Sequence, residues 1–165
     1  ELADISGYEA AKIEKIKRPR ILVLLSDSWS DNPVPQGTSA SFSLGSIQDL
    51  VQYVFFKNWE PGVYVLWMRY RMPEGYIYQI IHTAFAIGPT DIEFVPIDGL
   101  WTPVQVWPTT ITPLGYRGEV VIPIAGTNIA RYELTGTWTI EVYVGSYIPD
   151  SASEPIKTVR FEFTD

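Results

Sequence analysis

Gly62-Val63-Tyr64-Val65-Leu66-Trp67-Met68-Arg69-Tyr70-Arg71 and Tyr76-Ile77-Tyr78-Gln79-Ile80-Ile81-His82-Thr83-Ala84-Phe85-Ala86-Ile87 are two β-prone runs joined by Met72-Pro73-Glu74-Gly75. β-branched and aromatic residues fit a pleated surface, and a Pro-x-Gly segment between two such runs is turn chemistry. The spacing predicts a hairpin over residues 61–87. Successive strand side chains point to opposite faces. With residues 72–75 as the loop, 71 faces 76, 69 faces 78, 67 faces 80 and 65 faces 82. One face then carries Tyr64, Leu66, Met68 and Tyr70 opposite Ile77, Gln79, Ile81 and Thr83, a core side. The other carries Trp67, Arg69, Arg71, Tyr76 and Tyr78. Nothing in the sequence obviously covers this second face, so it is expected to be an interaction face, joined by Tyr143.

The rest of the composition agrees with a β-rich domain. Apolar residues make up 46% and charged ones 19% of 165 residues, enough for one core without covalent staples. Twelve Gly and thirteen Pro are scattered along the chain as punctuation between short strands. The net charge of −7 argues against a nucleic-acid partner, because phosphate binding needs a basic footprint. Without cysteine there are no disulfides, thiolate metal sites or iron–sulfur clusters. No apolar run approaches the ~20 residues of a membrane span, so no membrane insertion is expected. The start at Glu1 fits either removal of a signal peptide or simply an arbitrary boundary of the chain, and an extracellular or cell-surface location is the expectation.

Residues 1–19 form an arm or short helix before a single domain, 20–165. The arm holds good helix formers closed by Pro19, and carries the basic cluster Lys12, Lys15, Lys17, Arg18 and Arg20. Beyond it, residues 20–25 form a continuous apolar run expected to be a strand buried on both faces. The loop 26–37 carries Asp27 and Asp31 but lacks the Gly and closing Glu of a calcium loop. Strands are expected at 38–44, 49–56, 92–97, 119–124, 129–134, 137–144 and 157–163. Val159, Phe161 and Phe163 should face inward, beside Trp138, Ile140 and Val142. Residues 100–116 are dense in proline, as in an edge strand or extended loop. About ten strands and no internal helix predict an all-β, antiparallel two-sheet sandwich, with a closed barrel as the second choice.

Gly62-Val63-Tyr64-Val65-Leu66 and Gly136-Thr137-Trp138-Thr139-Ile140 share a turn glycine, one residue, an aromatic, then alternating apolar positions. This resembles the Gly-x-Tyr/Trp strand opening of bacterial and archaeal immunoglobulin-like β-sandwich domains. The ending 157–163 is similar to the last strand of such domains. The resemblance covers about 40 residues and implies an immunoglobulin-like sandwich with extra strands or an arm. It implies no activity, because that fold serves adhesins, enzyme appendages and filament subunits alike.

Chemistry-bearing constellations are sparse. His82 is the single histidine and no Gly-x-Ser-x-Gly elbow accompanies it, so the reading is a non-enzyme without catalytic, metal-binding or cofactor-binding residues. The expected function is an extracellular structural or assembly subunit. It would self-associate into a homo-oligomer, filament or surface layer through the aromatic–arginine face and the basic arm. The alternative is a carbohydrate-binding or accessory module, with Trp101, Trp107 and Tyr116 as a platform for a glycan.

Overall fold

The computed structural model of the protein describes residues 18–165. Most of the arm, with Lys12, Lys15 and Lys17, lies outside the described residues. Eleven strands and one helical turn follow: β1 (Arg20–Ser26), β2 (Ser41–Ser43), β3 (Asp49–Lys57), β4 (Gly62–Arg71), β5 (Ile77–Ile87), β6 (Phe94–Val95), β7 (Val104–Pro108), β8 (Thr110–Thr112), β9 (Gly115–Pro123), α1 (Asn128–Arg131), β10 (Gly136–Val144) and β11 (Lys157–Thr164). They build a four-stranded sheet, β1-β3-β9-β8, and a seven-stranded sheet, β2-β11-β10-β4-β5-β7-β6. The all-β, two-sheet expectation therefore holds. The pairing is not wholly antiparallel, because β11 runs parallel to β2 and β5 parallel to β7.

The two inner faces meet in one large core. The seven-stranded sheet contributes Leu66, Met68, Tyr70, Phe85, Trp138, Ile140, Val142, Phe161 and Phe163, and the four-stranded sheet Ile21, Val23, Leu50, Val54 and Phe56. The polar link between the layers is Tyr70, whose hydroxyl donates to Gln52 Oε1 at 2.6 Å, while Gln52 Nε2 donates to Val120 O. Both side chains are buried, so each satisfies the other where water cannot.

Two segments close the sides of the sandwich by changing sheets. Ser39 N donates to Leu25 O on β1, and one residue further on Ala40 O accepts from Glu162 N, after which β2 pairs with β11. On the opposite side only Thr109 separates β7 in one sheet from β8 in the other, and its hydroxyl donates to Ala86 O at 2.6 Å. Corners made by strands that switch sheets are a known way to shield sheet edges.

Four expectations are corrected. The strand buried on both faces is β3, whose seven interior residues are all buried, because it lies between β1 and β9. β1 is an edge strand with Leu22 36% exposed. The expected strand 129–134 is instead α1, capped by extended Thr127 and followed by Glu133 in the left-handed region at φ 47°. Its one buried residue is Ile129, so the segment offers a single anchor where a strand would need an alternating face. In the hairpin, Arg71 pairs with Ile77 across a turn one residue longer than expected, and a register irregularity between Tyr70 and Arg71 adds one more, so Arg69 faces Ile80 and Trp67 faces His82. A bulge of this kind re-aims side chains. Tyr78 consequently packs edge-on against Trp138, at 5.4 Å between ring centroids, and Ile77 is exposed.

Candidate functional site

The outer face of the seven-stranded sheet is where the sequence places an interaction face, and the chain covers most of it with its own loops. Trp67 is 2% and Arg69 3% exposed, and Tyr143 is also buried. Val65, Trp67, Ala84, Ala86, Val106 and Tyr143 form a second core with Ile97, against which Val95, Leu100 and Val104 pack. The cover comes from the segment after the hairpin, where Val95 and Ile97, then Val104 and Val106, alternate inward. The second cover is the loop 145–156. Trp67 Nε1 donates to Gly145 O at 2.8 Å, and Arg69 Nη1 to Asp150 O at 3.2 Å.

Arg69 is the clasp of that loop. Its Nε donates to Glu141 Oε1 at 2.8 Å, its Nη2 donates to the Tyr143 hydroxyl, and its guanidinium carbon lies 4.9 Å from the Tyr143 ring centre. Arg71 Nε shares the same Glu141 oxygen at 2.6 Å. Burial pushes the Glu141 carboxyl up, but the hydrogen bonds and charges of the two arginines outweigh it and hold the group below its ordinary value. The Tyr143 phenol goes the other way, raised first by burial and then by the Glu141 charge.

The four-stranded sheet carries an equivalent device on its own outer face. Val51, Tyr53 and Phe55 are buried there, with Leu24 and Leu114 packed against them, and the loop 26–37 is tied to Tyr53. Arg117, on β9, donates from Nη2 to Ser30 O and from Nη1 to Asn32 O, each at 2.5 Å, and from Nε to Glu119 at 2.8 Å. Its guanidinium lies against the rings of both Tyr53 and Trp29, at 4.6 and 5.5 Å. Tyr53 closes the loop from the other side, accepting from Ser30 N and donating to Ser28 O. Burial is the largest influence on that phenol and raises it. Asp31, weighed above as a calcium ligand, accepts from Trp29 Nε1 at 2.7 Å. Among the described residues no group of three His, Cys, Asp or Glu side chains converges on a metal position.

Trp29 and Tyr147 are exposed on these two loops, and further exposed aromatics lie elsewhere. Trp101 is fully exposed on the loop between β6 and β7. The turn beneath it is fixed: Leu100 N donates to Ile97 O at 3.1 Å, Gly99 takes a left-handed φ of 87°, and Ile97 and Leu100 are set into the second core. Phe94 and Trp107 are half exposed, near the margin where the wider sheet extends past the narrower one. An open cleft of 510 Å³ beside them is lined by Pro89, Ile92, Glu93, Phe94 and Gln105 among others. The expected platform does not assemble as a unit. Trp107 pairs with Phe85 within the seven-stranded sheet, whereas Tyr116 is half-buried on β9 against the main core. Of the remaining residues singled out, Tyr76 is exposed at the hairpin tip, and Arg71 donates across that tip to Gly75 O. His82 is exposed with its ring 5.2 Å from that of Trp67. Arg18 and Arg20 are exposed at the start of β1.

Among the described residues no helix is long and apolar enough to cross a membrane. Compared with models of known protein families and with curated proteins, the chain matches none.

Proposed function

We propose that the protein is a non-enzymatic structural subunit of an extracellular assembly, and that its contact with a neighbouring protein is made by the β6–β7 loop. The observation that carries this reading is Trp101, a fully exposed indole on a turn anchored by two apolar side chains. An exposed tryptophan on a mobile tip would lose entropy on docking; one on a fixed turn loses less, and Trp is a common anchor of protein contacts. The aromatic–arginine face is not the contact in this account, because its Trp67, Arg69 and Tyr143 are committed to the chain's own loops. The fold is taken as a widened immunoglobulin-like sandwich, supported by the two Gly-x-aromatic openings lying on the paired strands β4 and β10.

The test is sedimentation of the full chain and of Trp101→Ala over about 1–100 μM, a range that spans ordinary micromolar association. The reading expects concentration-dependent higher assembly that W101A weakens at least about tenfold with an unchanged melting temperature. Unaltered assembly in W101A would remove the loop from the interface. A glycan-binding module is favoured instead if W101A assembles normally but loses retention on a polysaccharide column.

A further inference from the structure

We propose a second contact surface, the free edge of β1, which pairs antiparallel with the same strand of a second copy. Leu25 O is turned away from β3, since it accepts from Ser39 N. Backbone groups of alternate residues point the same way, so the N–H and C=O of Ile21 and Val23 also face outward from the sheet. Ser39 and Thr38 cap only the far end of the strand, at Leu25 and Ser26. Among the described residues no strand pairs with this stretch of the edge, and edge groups of this kind are a template for another strand.

The other margins among the described residues carry protection that β1 lacks. β2 has three residues and β6 two, β8 lies between Pro108 and Pro113, and the free part of β11 carries Lys157, Arg160 and Glu162. Between Arg20 and Asp27, β1 carries no charge and no proline, and Leu22 on its outer face is partly exposed.

The occupant follows from self-complementarity. Placing Ile21 opposite Val23 of a second copy, and Val23 opposite its Ile21, satisfies all four outward pairs around a two-fold axis at Leu22. The two Leu22 side chains then meet. Arg18 and Arg20 stand at one end of the strand and Asp27 at the other, so antiparallel pairing brings opposite charges together and parallel pairing would bring like charges together. A two-fold contact uses the same patch on both copies and closes as a dimer. It is separate from the Trp101 contact, and either can fail alone.

The experiment uses the full chain, which has no native cysteine. Leu22 would face its own copy at a non-hydrogen-bonded position, where Cα atoms lie about 4.5 Å apart, within disulfide reach. Leu22→Cys is therefore expected to form a disulfide dimer under mild oxidation at about 10 μM, a concentration within ordinary micromolar association, much faster than Val121→Cys, an exposed control on β9. Leu22→Lys should weaken the dimer by about tenfold or more, with the circular dichroism spectrum and melting temperature of the parent. A dimer that survives L22K, or equal cross-linking of L22C and V121C, overturns the pairing. So does a full chain that stays monomeric while a version lacking residues 1–17 dimerises, because the edge would then be occupied in cis. Loss of assembly in W101A with the L22C cross-link intact would leave both contacts standing.

Discussion

The guanidinium of Arg117 lies 4.6 Å over the ring of Tyr53, and between them the two residues hold the loop 26–37 by four backbone hydrogen bonds. Arg69 and Tyr143 do the equivalent on the other sheet. Each arginine has a strand-borne glutamate at 2.8 Å, so each charge is paired where it is buried. The planar fork of arginine suits this task, since it can reach a carboxylate and carbonyl oxygens while stacking on a ring. The middle of each sheet's outer face is thereby covered, and the contacts proposed above fall on a loop tip and one strand edge.

Arg117→Ala should lower stability by about 2–4 kcal/mol, because it removes a buried ion pair and leaves the carbonyls of Ser30 and Asn32 without their donor. Arg117→Lys should recover less than half of that loss, lacking the fork. Hydrogen exchange should show the amides of residues 28–36 opening ahead of the β3 amides. Unchanged protection of that loop in R117A would show that Tyr53 alone holds it.

Glu141→Gln should cost about 1–3 kcal/mol at neutral pH, as two charge-assisted hydrogen bonds lose their acceptor charge. The carboxyl is held below its ordinary 4.5 in the folded state. Its contribution is thus complete above pH 4.5 and fades as pH falls through the depressed folded value. The stability gap between parent and E141Q should narrow across that acid range in denaturant titrations. A gap that is flat with pH would mean that the arginines do not bias this carboxylate.

Gly118→Ala tests the distance between the layers. A Cβ at Gly118 would lie 2.6 Å from Phe85 Cε1, and the Phe85 ring is itself held against Phe56 at 5.7 Å. Overpacking of this sort costs about 1–3 kcal/mol. Adding Phe85→Leu should give a favourable coupling with G118A in a double-mutant cycle, where simple additivity would place the strain elsewhere.

The strand periodicity was legible wherever one face is buried and the other wet. Val159, Phe161 and Phe163 alternate against Thr158, Arg160 and Glu162, and the structure orders their burial the same way along β11. Periodicity failed where two faces are buried at once. Parity identifies the outer face of β4, but it says nothing about what lies above a face, and Arg69 looks the same in sequence whether solvated or clasping a loop. The signal that would have revealed the cover is the alternation of Val95 with Ile97 and of Val104 with Val106, which needs an apolar surface to bury. The bulge that moves Tyr78 inward has no marker in Tyr76-Ile77-Tyr78 itself. In the sequence, residues 20–25 read as the run buried on both faces and 49–56 as one more half-exposed strand. Only the sheet order, set by long-range pairing, decides that the first is an edge.

The six tryptophans offer the most direct test of the account, because they sample every surface in question. Hydroxyl-radical footprinting of the full chain at low concentration, read by mass spectrometry, should modify Trp101 fastest. Trp29 and Trp107 should follow, and Trp67 and Trp138 should be protected. On raising the concentration into the assembled range, Trp101 should become protected while Trp67 stays unchanged. Fast modification of Trp67 at low concentration that disappears on assembly would contradict the account, returning the aromatic–arginine face to the interface and the loop 145–156 to solvent.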